Sequence, residues 1–210
     1  SRSARGRRLE LLPMSGESRI NLTNQFLIAM PGMVDPTFAG TVIYLCEHTD
    51  KGALGLVINK PVDIKLRNLF EKVELSLTRE DIADAPVFFG GPVQTERGFV
   101  LHERVQAEGE QGSPYSSTLA IAGAPLDMTT SKDVLEALAD GSGPKKLLVT
   151  LGYSGWRAGQ LEDELSRNGW LTVGADPAII FDTPIQERYE RAVSLLGIDP
   201  RMLSQEAGHA

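Results

Sequence analysis

The sequence has a single cysteine, few aromatic residues and no long apolar run. Cys46 is the only cysteine among 210 residues, so no disulfide within the chain can stabilise the fold. The best apolar stretch, residues 26–34, is interrupted by Pro31 and Gly32 and is far shorter than the ~18 residues of a membrane helix. These absences exclude a disulfide-rich scaffold, argue against an integral membrane protein, and favour a cytoplasmic one.

Basic residues are scarce outside the first thirteen positions. The formal net charge is −7, but residues 1–13 contain four arginines and one glutamate, and the remaining chain has 17 basic and 27 acidic side chains. So acidic a body repels phosphate backbones, and direct DNA binding is not expected. No apolar signal-peptide region follows the arginines, and Met14 opens a typical protein start. We predict that residues 1–20 are a disordered basic extension or a non-native start, and that residues 21–210 form the domain.

Strand and helix patterns alternate along the whole chain. Strands are predicted at 26–30, 41–48, 53–59, 87–89, 118–121, 146–151, 170–173 and 178–181, with 97–102 as continuation or hairpin partner of 87–89. Helices are predicted at 66–73, 131–139 and 158–167 and after Thr183, with Thr130 and Thr183 as caps and Gly197 as the last helix's end. Residues 104–116 are polar and glycine-rich and predict a mobile surface loop. Without repeats or linkers, these patterns predict one α/β domain around a mixed sheet, with α+β as the alternative.

Two motifs match nucleophile or metal sites only in part. Segment 152–156 (GYSGW) follows a strand and precedes a helix, as a serine nucleophile elbow does, but Trp156 occupies the position where that elbow needs glycine. We interpret the segment as a tight turn and Ser154 as no nucleophile. Cys46 and His48 are two residues apart on a strand, which predicts that both point to one face and could begin a zinc site. Such a site needs further ligands, so we predict no bound metal.

Polar residues and glycines follow several predicted strands, at the places where ligands bind in open α/β sheets. Two cations there would attract an anionic group, two aromatic rings would supply apolar walls, and two glycines would let a ligand approach the backbone. The alternative is that the glycine pair and the Asn-Lys pair form ordinary turns. The predicted binding crevice consists of Asn59, Lys60, Gly90, Gly91, Arg97, His102, Tyr153 and Trp156.

Several segments also match a known family in collinear order. Among them are FLIAMPG (26–32), CEH (46–48), GLVINKP (55–61), GGPV (90–93), RGFVLH (97–102) and GQLE (159–162). With these segments the chain resembles the YqgE/AlgH family of bacterial proteins from Asn21 to its end. The resemblance implies a compact protein with a mixed, partly rolled sheet covered by helices.

The resemblance implies less about activity. One branch of the family is described as a candidate transcriptional regulator of alginate production, and the family brings no established catalytic residue. The sequence has no helix-turn-helix signature, basic recognition helix or zinc-finger spacing. We therefore expect a cytoplasmic protein without cofactor or catalytic residue, which regulates indirectly through a small anionic ligand or a protein partner. The alternative is a small-molecule hydrolase that uses His48 or His102 as general base, with or without a metal.

Overall fold

The strands of the protein form one strongly curved sheet. The structure is a computed structural model that describes residues 20–105, 112–199 and 201; the predicted basic extension and much of the predicted 104–116 loop lie outside these residues. The strands are β1 (Gln25–Ala29), β2 (Val42–Thr49), β3 (Gly52–Val57), β4 (Pro61–Lys65), β5 (Pro86–Phe89), β6 (Val93–Glu103), β7 (Thr118–Ala120), β8 (Leu126–Thr129), β9 (Leu147–Arg157) and β10 (Trp170–Gly174).

Short helices cover this sheet. They are α1 (Leu66–Lys72), α2 (Glu80–Ala83), α3 (Asp133–Ala139), α4 (Gln160–Ser166), α5 (Pro177–Phe181) and α6 (Arg188–Ser194), with a 3-10 turn at Ile185–Glu187. Across the described ranges, none of them has the length and apolar character that crossing a bilayer requires.

Strand β9 joins the two halves of the sheet. The strand order is β10-β1-β2-β3-β9-β6-β8-β7, with β4 and β5 attached beside β9. All pairs are antiparallel except β5 with β9. The first half of β9 pairs with β5 and β6, and residues 154–157 pair with β3, so the sheet curls into a half-barrel. The prediction of one domain with a mixed, partly rolled sheet is confirmed, in its α+β form.

Both faces of the sheet are buried, which explains the nearly continuous apolar strands. In β2, Val42, Tyr44 and Cys46 face a core cluster closed by α5 and α6. The alternate residues Ile43 and Leu45 face a second cluster, which contains Leu161 of α4. A third cluster joins β5, β6 and β9 to α1 and α3.

Strand β9 continues through segment 152–156, so the predicted tight turn is wrong. The chain leaves the strand after Arg157, and α4 begins after Gly159, which has a φ of +77°. Ser154 is buried in this strand and its hydroxyl donates to the carbonyl of Gly90 at 3.0 Å, so it is no exposed nucleophile. Residues 97–102 belong to β6, which pairs with β8 and β9 and therefore neither extends β5 nor forms a hairpin with it.

Segment 178–181, predicted as a strand, is helix α5. The side chain of Asp176 accepts a hydrogen bond from Ala178 N at 3.0 Å, and Pro177 occupies the first turn. The hydroxyl of Thr183 donates to the carbonyl of Ala178 at 3.0 Å, so Thr183 does not cap the last helix as predicted. Helix α3 likewise begins beyond Thr130, at Asp133, without a side-chain cap.

Candidate functional site

The structure distributes the eight predicted crevice residues over several places. Asn59 is engaged by the protein itself: its Oδ1 accepts from Val42 N at 2.9 Å, and its amide donates to Gly40 O at 3.0 Å. These bonds fix the loop that precedes β2. Lys60 is half-buried, and its backbone carbonyl accepts from Phe89 N at 2.7 Å.

Gly90 and Gly91 pack against the backbone of β9. A Cβ at Gly90 would lie 2.3 Å from the carbonyl oxygen of Gly152, and one at Gly91 would lie 2.2 Å from the carbonyl of Tyr153. Gly90 N also donates to Leu151 O at 2.9 Å. The absence of side chains at these two glycines therefore allows the loop to pack closely against the backbone of β9.

Arg97 and Tyr153 are brought together by an aromatic ring. The exposed Arg97 guanidinium carbon lies 5.8 Å from the ring centroid of Phe99, and Phe99 contacts Tyr153 edge to face with centroids 5.4 Å apart. His102 lies farther along β6, in the core.

His102 is fully buried and both of its ring nitrogens have partners. Nδ1 lies 2.7 Å from the carbonyl oxygen of Glu103, which can only accept, so Nδ1 carries the proton. Nε2 then accepts from the hydroxyl of Thr129 at 2.8 Å. Burial lowers the pKa of this imidazole. These contacts give His102 a structural role and leave no ring nitrogen for a substrate proton.

A bulge in β2 separates Cys46 from His48, so the prediction that they share one face is wrong. Cys46 packs with Tyr44 in the core, and burial raises the pKa of its thiol. The Nδ1 of His48 accepts from Leu22 N at 3.0 Å, and its Nε2 lies 3.3 Å from a carboxylate oxygen of Glu162 in α4. Over the described ranges, no three His, Cys, Asp or Glu side chains are placed to share a metal ion.

A groove of about 850 Å³ lies between the loop after β1, helix α4 and the strands β9 and β10. We call it the tryptophan groove. Two indoles form its floor: Trp156 in β9 and Trp170 in β10 are both more than nine-tenths buried and contact each other edge to face at 6.3 Å. The apolar lining is Met30, Met33, Val34, Phe38, Trp156 and Trp170.

A carboxylate lies against this aromatic floor. Oε1 of Glu164 accepts from Nε1 of Trp156 at 3.1 Å and from Nε1 of Trp170 at 2.9 Å, and Oε2 accepts from the amide of Gln160 at 3.0 Å. All three donors are neutral. Within residues 20–105 and 112–199, no ion pair includes Glu164, and the nearby Arg167 pairs with Asp163 instead. The groove therefore holds a fixed negative charge beside two aromatic rings.

Of the eight predicted residues, the tryptophan groove includes Trp156, while Tyr153 lines a smaller adjoining pocket of about 380 Å³. Sequence reasoning missed Trp170 and Glu164 as site residues. One sequence signal was available. The helix predicted between the two tryptophans indicates that the strands before and after it could both pack against that helix.

Comparison with known proteins identifies relatives that match most of this chain. A family model described as AlgH-like matches residues 26–201. UPF0301 proteins of Burkholderia lata and Burkholderia pseudomallei are 64% identical over 192 residues, which cover 91% of this chain and 97% of each relative.

Two solved structures are also similar. The solution structure of the AlgH protein from Pseudomonas aeruginosa is 50% identical, with a TM-score of 0.71 over 90% of this chain and 96% of that one. A crystal structure from Corynebacterium diphtheriae shares the fold at 18% identity, with a TM-score of 0.67 over 90% of this chain and 93% of that one. The chain belongs to the YqgE/AlgH family.

Proposed function

We propose that this protein is a ligand-binding regulator that recognises a small organic cation in the tryptophan groove. The observation that carries the proposal is the Glu164 carboxylate, which two indole N–H groups hold against the groove floor without a cationic partner in the described chain. A cation there would gain both the carboxylate charge and the attraction of the ring faces. The groove volume lies within the ~300–1,000 Å³ typical of small-molecule sites.

The apolar lining adds a second requirement. Met30, Met33 and Phe38 are half-buried along one wall, and Val34 is 93% exposed at the rim. A fully hydrated ion would leave this surface in water. The proposed ligand therefore combines an amine, guanidinium or quaternary ammonium group with an apolar body, which the methionines can accommodate because their side chains adapt in shape.

A regulatory role through a ligand accords with the charge of the chain. The acidic body disfavours duplex DNA, and the exposed arginine of α6, Arg191, is already paired with Glu187. We propose an effect on transcription that passes through the bound ligand, in the cytoplasm as the composition predicts. The hydrolase alternative has no supporting observation, because the ring nitrogens of His48 and His102 are turned to protein groups.

Intrinsic fluorescence tests the proposal directly. The sequence contains two tryptophans, and both line the groove, so binding in the groove should change the emission. We expect benzylamine and benzyltrimethylammonium to alter the emission saturably, and benzyl alcohol and benzoate of equal concentration to leave it unchanged. Equal responses to the neutral or anionic probes, or no response to either cation, would contradict the proposal.

Variants locate the effect. Glu164→Gln keeps an oxygen for the indoles but removes the charge, and we expect it to weaken cation binding at least tenfold, which corresponds to a loss of ~1.4 kcal/mol of binding free energy. Glu190→Gln, on the exposed side of α6, is the matched control and should bind as the unmodified protein does. Undiminished binding by the Glu164 variant would exclude the groove carboxylate as the recognition element.

A further inference from the structure

Arg188, the first residue of α6, is a buried cation without an acidic partner in the part of the chain that the structure describes. It is 7% exposed, and its Nε donates to the carbonyl of Thr183 at 3.0 Å while Nη1 donates to the carbonyl of Ile58. Its guanidinium carbon lies 5.0 Å from the ring centroid of Phe88. Among the described residues, no aspartate or glutamate forms an ion pair with it. Burial lowers its pKa to about 10.

Such a placement is costly for the fold alone. A buried charge is normally paired, and the positive end of a helix dipole lies at the helix start, where it disfavours a cation. Backbone carbonyls and an aromatic face offset part of this cost. The remaining nitrogen, Nη2, makes no hydrogen bond to the described part of the chain. It is also not completely buried, so it remains accessible from the solvent side.

This guanidinium lines a pocket of about 370 Å³ between α1, β5, β9 and the segment 180–188, which we call the arginine pocket. Apart from Arg188, its lining is mainly apolar and includes Leu66, Phe88, Val149, Ile180 and Ile185. Gln186 is exposed at its edge. The arginine pocket and the tryptophan groove share no residue.

We propose that the arginine pocket binds a monocarboxylate with an apolar tail. The free N–H groups of a guanidinium are spaced to donate to the two oxygens of a carboxylate. Such charge-assisted hydrogen bonds are stronger than hydrogen bonds between neutral groups. A single cation in an apolar lining satisfies one negative charge, whereas a phosphate would leave most of its oxygens without donors. In this proposal Arg188 is the cation that binds the anionic ligand expected from the sequence, at a site separate from that of the proposed function.

Thermal shift and calorimetry with simple probes test this site. Phenylacetate and octanoate should raise the melting temperature by several degrees at saturation, and the uncharged phenylacetate methyl ester at equal concentration should not. Inorganic phosphate should bind at least tenfold more weakly than phenylacetate. Equal stabilisation by the ester, or tighter binding of phosphate, would overturn the proposal.

Variants at the edge of the pocket keep the test independent of folding. Gln186→Glu places a carboxylate beside the guanidinium and should weaken phenylacetate binding at least tenfold, while Gln186→Ala should retain it. Phenylacetate binding should also survive Glu164→Gln, which separates this site from the proposed cation site. Undiminished binding by Gln186→Glu, or loss of binding with Glu164→Gln, would overturn the assignment.

Discussion

Replacing Gly90 by alanine measures how tightly the loop after β5 is pressed against β9. The added Cβ would lie 2.3 Å from Gly152 O and 2.5 Å from Thr150 Oγ1. Ordinary contacts between non-bonded heavy atoms are about 3.5 Å, so the two segments must separate by roughly 1 Å. That movement stretches three hydrogen bonds of 2.9–3.0 Å: Gly90 N to Leu151 O, and Val57 N and Ser154 Oγ to Gly90 O.

The loss can be estimated from those bonds. At about 1 kcal/mol each, they give roughly 3 kcal/mol of lost stability. For a domain of this size that corresponds to a melting temperature about 6–12 °C lower. Urea unfolding followed by tryptophan fluorescence gives the free energy, and differential scanning fluorimetry gives the melting temperature.

A matched glycine provides the control. A Cβ at Gly98, in β6, would meet nothing within 4 Å, and its φ lies outside the left-handed region, so Gly98→Ala should be neutral or slightly stabilising. If Gly90→Ala melts within about 2 °C of Gly98→Ala, far less than the ~3 kcal/mol loss requires, the close contact with β9 does not hold the loop. The glycine pair would then again be free to serve a ligand.

Three further outcomes follow from buried groups. Arg104→Met should lower the free energy of unfolding by about 3 kcal/mol, because Asp127, whose side chain is 3% exposed, loses its 2.8 Å ion pair. Urea unfolding measures this loss, and a stability equal to that of the unmodified protein would refute the prediction. His102 should stay neutral in the folded protein and take up a proton at its ordinary pKa in the unfolded chain, so the free energy of unfolding should fall as the pH drops below about 6.5. A His102 NMR resonance of the folded protein that titrates above that pH would refute this prediction. Cys46, 1% exposed and with its thiol pKa raised by burial, should react with Ellman's reagent only as fast as the protein unfolds.

The local elements were largely predictable because their patterns are local. Strands β2 and β3, helix α1 and the last helix were predicted from patterns of residues a few positions apart, and the structure contains them. The element at 178–181 was not, because four apolar residues fit a buried strand and a buried helix equally well. The cap at Asp176 and the proline at 177 mark the segment as a helix.

The site was less predictable because tertiary pairing creates it. Trp156 in β9 and Trp170 in β10 lie on strands that β1, β2 and β3 separate in the sheet order, and they meet because the sheet curls and α4 links the two strands. The helix pattern between the two tryptophans is a local signal, but it does not encode the pairing that curls the sheet. Strand-end reasoning instead selected residues such as Asn59 and Gly90, whose polar groups hold the sheet together.

The central place of β9 also governs the order in which the chain can fold during synthesis. Strands β3 and β6 are both its partners, and both leave the ribosome before Leu147 does. Until then each presents an open edge with unpaired backbone groups, which is a template for pairing with another nascent chain. Unwanted pairing of these edges is therefore most favoured between the synthesis of β6 and that of β9.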